Sequence, residues 1–441
     1  MHFQESIVAL SSGRLPAGLA VIRLSGPKTR FALETITGFV PEQRKAVLCT
    51  LSASDGEPLD RGLALFFQGP DSFTGEDVAE FHVHGGRAVV AALLKTLTSI
   101  EGIRHADAGE FTRRAFLNGK MDLVETEAVA DLIGAETEAQ RRFAVLNAGG
   151  AQSELYGSWR ARLVHARAMI EAEIDFADED DVPGSVSRIV WSDVTELAEE
   201  IGRHIKGFET AEVIRDGFDA VILGAPNAGK SSLFNALARR DAAIVSDEPG
   251  TTRDLLEVSL DLQGVRVRVT DTAGLRARAG MVETIGIERA RARARDANLV
   301  LLLEDMSAPD GEPLTVPEAP LLRVGTKADL VPVETGRADG YDFAISTVTG
   351  EGLGDLLGEI GTRAIAAAGT AGDILPSRLR HVELLQEARA HLLRALQAGD
   401  TVVELRAEDL RLAADRLGRI VGAVDVEDLL DVIFSQFCIG K

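Results

Sequence analysis

The stretch Gly224-Ala-Pro-Asn-Ala-Gly-Lys-Ser231 follows the apolar run Ala220-Val-Ile-Leu223 and precedes Ser232-Leu-Phe-Asn-Ala-Leu237. That order reads as strand, phosphate loop and helix. Glycines let the backbone curl so that the N–H groups around Asn227, Ala228, Gly229, Lys230, Ser231 and Ser232 point at phosphate oxygens. Lys230 brings positive charge to the β and γ phosphates, and the Ser231 hydroxyl suits Mg²⁺. The eight-residue pattern is complete and sits in the right context, so it predicts a nucleoside triphosphate site.

Outward from the loop, strands alternate with helices from about 217 to 368, as in a parallel sheet covered on both faces. Val265-Arg-Val-Arg-Val-Thr270 alternates as a half-buried strand and runs into Asp271, Thr272, Ala273 and Gly274, where a γ-phosphate would be sensed. Leu321-Leu-Arg-Val-Gly325 is another strand, ending in Thr326, Lys327, Ala328 and Asp329. The Asp329 carboxylate can accept both guanine N1–H and its 2-amino group, which adenine does not offer, so GTP is favoured and an ATPase disfavoured. A further strand ends in Ser346, Thr347 and Val348, suited to close backbone approach to the base. Between the phosphate loop and Asp271 lie Ser246, Asp247, Glu248, Pro249, Gly250, Thr251 and Thr252; Thr251 or Thr252 would complete a Mg²⁺ shell as this loop closes. Leu275 stands where Ras-type enzymes carry the glutamine that orients water. Glu283 and Glu288 are the nearest replacements, although on composition alone each reads as a charge on a solvated helix face. No arginine finger is identifiable, and a bound monovalent cation would supply the missing charge.

The chain has 441 residues, enough for two to four domains. No apolar run approaches the ~20 residues needed to cross a bilayer, and MHFQESIVAL lacks the basic flank of a signal peptide, so a cytoplasmic location is expected, with no membrane partner. Cys49 and Cys438, the two cysteines, suit neither a disulfide framework nor a zinc site. A net charge of −22 opposes any broad nucleic-acid surface. The basic run Arg289, Arg291, Arg293 and Arg295 fans around a helix and forms no single stripe.

Pattern divides the chain into a multidomain protein. Residues 1–118 mix short strands with helices as an α+β domain, 119–216 are helical, 217–370 form a Ras-like α/β P-loop domain, and 371–441 are helical again. The simplest architecture is one discontinuous α-helical domain into which the α/β domain is inserted.

Beyond the nucleotide motifs, several segments carry a further signal: Val21-Ile-Arg-Leu-Ser-Gly26, Phe73-Thr-Gly-Glu-Asp-Val78, His84-Gly-Gly86, Gly109-Glu-Phe-Thr-Arg-Arg-Ala-Phe-Leu-Asn-Gly-Lys120, Glu173-Ile-Asp-Phe176 and Phe437-Cys-Ile-Gly-Lys441. With these the chain resembles, over nearly its whole length, the MnmE (TrmE) family of bacterial tRNA modification GTPases. The resemblance implies a homodimer joined through an N-terminal domain that also binds a folate one-carbon donor, 5,10-methylene- or 5-formyl-tetrahydrofolate. It implies a partner, MnmG, that uses FAD and NADH, in a heterotetramer that shares the tRNA. Together they would place a carboxymethylaminomethyl or aminomethyl group on C5 of the wobble uridine. It implies K⁺-stimulated GTP hydrolysis, with Asn227, Ser246, Glu248 and Thr251 around K⁺, Ser231 and Thr252 on Mg²⁺, and Glu283 orienting the attacking water, which sets it above Glu288. The folate positions it implies are Arg23, Glu80, Lys120 and Lys441, and Cys438 matches a near-terminal cysteine for which a thiol nucleophile and a structural role both stand open.

The chain departs from the family in places. Thr326 replaces the asparagine usual in Asn-Lys-x-Asp, and Ser346-Thr-Val replaces the commoner Ser-Ala-x. Residues 305–320 have no functional reading. The alternative function is a GTP-switched module for ribosome or membrane assembly, without modification chemistry of its own.

Overall fold

A computed structural model describes residues 3–175, 185–240, 242–244, 256–271, 293–308, 319–331, 340–369, 372–398, 403–424, 430, 433–435, 437–438 and 440. The chain forms two compact units, one of residues 1–130, 148–180 and 402–441, the other of residues 131–147 and 181–401.

The first unit is built on a six-stranded sheet of β1 (Ser6–Leu10), β2 (Ala17–Ser25), β3 (Val47–Ser52), β4 (Pro58–Phe67), β5 (Val78–Gly85) and β6 (Ile103–His105), in the order β3-β4-β5-β2-β1-β6. Side chains alternate across a strand, so Ala20, Ile22 and Leu24 of β2 face the core shared with the helices Thr29–Thr37 and Arg87–Thr98. Arg23 therefore faces the opposite side, and the antiparallel register sets it directly across from Glu80 of β5. On that side the helix Glu110–Leu117 brings Phe111 against Ile7, Ala9 and Ala106, with Phe73 at the margin. In the same unit the long helices Ala151–Asp175 and Val403–Val421 pack side by side.

The second unit holds a seven-stranded sheet: β7 (Phe218–Gly224), β8 (Ala243–Ile244), β9 (Leu256–Leu262), β10 (Val265–Asp271), β11 (Leu299–Asp305), β12 (Leu321–Thr326) and β13 (Phe343–Ala344), ordered β13-β12-β11-β7-β10-β9-β8. From β10 to β13 every pairing is parallel, and β7 and β11 are buried along nearly their whole length, as central parallel strands are. The expected all-parallel sheet is corrected at one edge, where β8 and β9 run antiparallel. The cause is the two-residue connection Gln263-Gly264, with φ of +57° and +89°, which closes a hairpin and is far too short for a crossover helix.

Residues 131–147 belong to this second unit. Phe143 joins its hydrophobic core, Ala139 N–H donates to the Gly264 carbonyl (3.0 Å), and Gln140 Nε2 donates to the Arg215 carbonyl (2.8 Å). The helices Ser185–Ile205 and Leu379–Gln397, from either side of the sheet in sequence, pack together here. Among the described residues, no helix is long and apolar enough to cross a membrane.

His204 and His381 lie one on each of those two helices, close enough for the charge of one to act on the other. Burial, together with the charge His381 would carry, pushes the His204 imidazole down from 6.5 to about 4, against a weaker pull from its hydrogen bond to the Ile374 carbonyl. The fold thus holds His204 neutral, while an unfolded chain protonates it below its ordinary pKa. The stabilisation is complete above pH 6.5, is lost as pH falls toward 4, and is worth at most on the order of 3 kcal/mol. Urea unfolding between pH 7.5 and 4.5 is expected to show a shallower decline for His204→Gln than for the parent; parallel declines would remove His204 as the cause.

Candidate functional site

The phosphate loop leaves the sheet where β7 ends. At Gly224 a Cβ would lie 2.6 Å from the Leu303 carbonyl oxygen, so only glycine lets the chain turn there. Asn227 takes a left-handed conformation (φ +66°), which asparagine tolerates better than most residues, and Gly229 follows at φ +87°. The helix Lys230–Ala238 begins immediately after, so its free N–H groups face the loop and make an anion site. The Lys230 ammonium is nearly buried and donates to the Gly224 and Ala225 carbonyls at 2.9 and 2.7 Å. Phosphate oxygens would compete for those protons with stronger, charge-assisted bonds.

Parallel pairing with β7 brings Asp271, the last residue of β10, to the same end of the sheet, opposite Ile222. Asp271 is fully buried, and the exposed Ser231 donates its hydroxyl to it at 3.3 Å. A hydroxyl beside a carboxylate is the hard oxygen set that Mg²⁺ takes next to phosphates.

The base end is assembled from β11, β12 and β13. The buried Ser346 hydroxyl donates to Asp329 Oδ1 at 2.6 Å and accepts from the backbone of Val348 and Thr349, which orients a carboxylate that is itself exposed. Thr347 lies in the same turn and Val348 is 84% exposed. Lys327, in a left-handed conformation, pairs with Asp305. Partial burial would raise the Asp305 carboxyl, but Lys327 and the Ser307 hydroxyl and N–H together hold it below its ordinary value. Thr326, the departure from asparagine, faces the phosphate loop: its buried hydroxyl lies 2.9 Å from the Ala228 carbonyl and 3.1 Å from that of Glu304. A Cβ on Gly229 would sit 3.4 Å from the Thr326 side chain, so the two are in near contact.

In the first unit, Arg23, Glu80 and Lys120, far apart in sequence, line one cavity of about 330 Å³. Arg23 donates from Nε and Nη2 to Glu80 Oε1 (3.0 and 2.9 Å), and its guanidinium lies over the Phe73 and Phe111 rings at 5.3 and 5.8 Å. The other Glu80 oxygen is 3.3 Å from His82 Nε2. A guanidinium over aromatic rings and paired with a carboxylate suits a flat heterocycle with donors and acceptors on its edge. The helix beneath is fixed by Arg114, 1% exposed, which donates to Glu76 and Glu110. Burial would raise the Glu110 carboxyl, yet Arg104, the Asp107 N–H and Arg114 hold it below the usual range. Cys438 is exposed, and its carbonyl accepts from Gly109 N–H at 3.4 Å; it does not appear among the described residues lining the cavity. Gly440 docks on the end of β1, accepting from the Ser11 hydroxyl at 2.8 Å, where an added Cβ would meet the Leu10 carbonyl at 2.2 Å.

Ser246, Asp247, Glu248, Pro249, Gly250, Thr251, Thr252, Thr272, Ala273, Gly274, Glu283, Glu288 and Lys441 lie outside the described residues. Sequence reasoning missed Arg44, Asp71 and Ser72, which also line the cavity. Ser72 and Asp71 sit beside a segment singled out for its likeness to the family; Arg44 stands in a polar stretch with no motif.

Residues 123–438 match the family described as "MnmE helical domain", and residues 6–120 match "GTP-binding protein TrmE N-terminus". Over 439 residues the chain is 70% identical to a tRNA modification GTPase MnmE of Mesorhizobium japonicum, covering 99% of each chain. It is 58% identical to one of Brucella anthropi, covering 99% of this chain and 98% of that one. Among solved structures, the G domain of the T. maritima FeoB iron transporter is similar at 26% identity over 34% of this chain and 99% of that chain, with a TM-score of 0.25.

Replacing Thr326 with Val keeps its shape and removes the hydroxyl that braces the Ala228 carbonyl, a loss of about 1 kcal/mol. GDP affinity, read by fluorescence titration, is expected to fall by roughly 3- to 10-fold. Unchanged affinity would mean the phosphate loop holds its shape without this bond.

Proposed function

The chain belongs to the MnmE (TrmE) family of tRNA modification GTPases, and on that premise we propose that its GTP hydrolysis is K⁺-stimulated and serves modification of the wobble uridine. In this reading it works as a homodimer with an FAD- and NADH-using, MnmG-like protein. The pair adds a carboxymethylaminomethyl or aminomethyl group to C5 of the base, taking one carbon from 5,10-methylene- or 5-formyl-tetrahydrofolate. The observation that supports the folate part is the convergence of Arg23, Glu80 and Lys120 on one cavity in the unit that also holds the near-terminal residues.

The roles divide between the regions. Residues 1–118, with Lys120 just beyond them, would hold the folate, with Glu80 and Arg23 on the pterin edge and Lys120, joined by Lys441, near the glutamate carboxylates. Residues 217–370 would hold GTP. There Lys230 and the loop N–H groups would bind the phosphates, Asp329 the guanine edge, and Ser231 with Thr252 a Mg²⁺ that neutralises phosphate charge. Asn227, Ser246, Glu248 and Thr251 would hold K⁺, which supplies the positive charge that an arginine finger gives elsewhere. Glu283 would orient the attacking water in place of the missing glutamine.

GTP turnover is expected to be markedly faster in KCl than in NaCl at equal ionic strength, and equal rates would sink the cation role. Glu283→Ala is expected to lower kcat by roughly 10²- to 10⁴-fold with GTP affinity nearly unchanged. Normal hydrolysis in that variant would move the role elsewhere. Mass analysis of tRNA nucleosides from cells lacking the protein is expected to show loss of the C5 substituent on the wobble uridine; intact modification would favour an assembly switch instead.

A further inference from the structure

The cations that line the cavity in the first unit differ in what they have left to offer. Arg23 is paired with Glu80 and stacks over Phe73, a place for a flat neutral head group. Arg44 and Lys120 add two further cations to the lining. Asp71 lines the cavity as well, and its backbone carbonyl accepts from Arg44 Nη2 at 2.7 Å, which fixes the guanidinium while leaving most of its five N–H donors for another acceptor. Arg44 is also one of four non-glycine residues in a left-handed conformation among the described residues (φ +61°), with its N–H bonded to the Phe66 carbonyl at 2.9 Å. Strained backbone of this kind persists where the surroundings hold it, and it clusters at ligand sites.

We propose that Arg44 binds the glutamate carboxylates of the folate, in bidentate fashion, and so selects folates that carry that tail over the bare pteroate. The assignment rests on the folate reading above and adds to it a residue that sets which part of the ligand is required. A guanidinium held at one corner by a carbonyl presents a planar fork that matches a carboxylate, whereas Lys120 offers a point charge.

The test compares 5-formyl-tetrahydrofolate with 5-formyl-tetrahydropteroate, which lacks the glutamate, by calorimetric titration of the full-length protein. Arg44→Gly suits the left-handed backbone and removes only the side chain; Arg44→Lys keeps the charge without the fork. The parent is expected to prefer the glutamate-bearing compound, and Arg44→Gly to bind it at least 10-fold more weakly while binding the pteroate as the parent does. Arg44→Lys is expected to recover only part of the loss. If Arg44→Gly weakens both compounds equally, Arg44 shapes the cavity and the proposal falls while the folate reading stands. If the parent binds neither compound, both fall together.

Discussion

Where the phosphate loop leaves β7, a Cβ on Gly224 would meet the Leu303 carbonyl of β11, so the loop turns only because glycine stands there, at the end of a parallel pair. Leu303 is paired with Gly224 and Asp271 with Ile222, so the ends of β7, β10 and β11 arrive at one edge of the sheet. The loop, the aspartate behind Ser231 and the Lys327–Asp305 pair all stand on those ends. Thr326, at the end of β12, reaches across to Ala228 and links the base end of the site to its phosphate end. Ligand sites in open α/β sheets lie at the carboxyl ends of the strands for this reason: the backbone supplies a rigid edge, and loops add the chemistry.

The phosphate loop was legible because its function is carried by backbone geometry, and backbone geometry of this kind demands particular residues at fixed spacing. The strand ends bearing Asp271, Asp329 and Ser346 were legible for the same reason. The hairpin that turns β9 antiparallel was not read, since Gln263-Gly264 is an unremarkable pair until both residues are seen at positive φ. Arg23 and Glu80 could be singled out only through family likeness, because their pairing depends on the register of β2 against β5. Arg44 carried no sequence signal: its place at the cavity is set by a left-handed turn within Pro41-Glu-Gln-Arg-Lys45.

Charge is distributed in a way that the net value of −22 conceals. Arginines of the first unit are set against carboxylates at short range, as Arg114 is with Glu76 and Glu110 and Arg104 with Glu110. Replacing a whole buried set by apolar side chains can be neutral for stability, whereas removing one member leaves an uncompensated charge, so these pairs hold the helix Glu110–Leu117 in place. That helix carries Phe111, one of the two rings against Arg23. Positioning of the cavity therefore depends on ion pairs that do not line it.

The docking of Gly440 on the end of β1 sets an order of events during synthesis. The first unit contains residues near both ends of the numbering, and Ser11 has its bond to Gly440 only after residues 403–440 have been made. Domains often fold as they emerge, the earliest first. The six strands of the first unit's sheet lie within residues 6–105 and can pair early, yet the end of β1 goes without its Gly440 contact until the entire nucleotide-binding sheet has been translated.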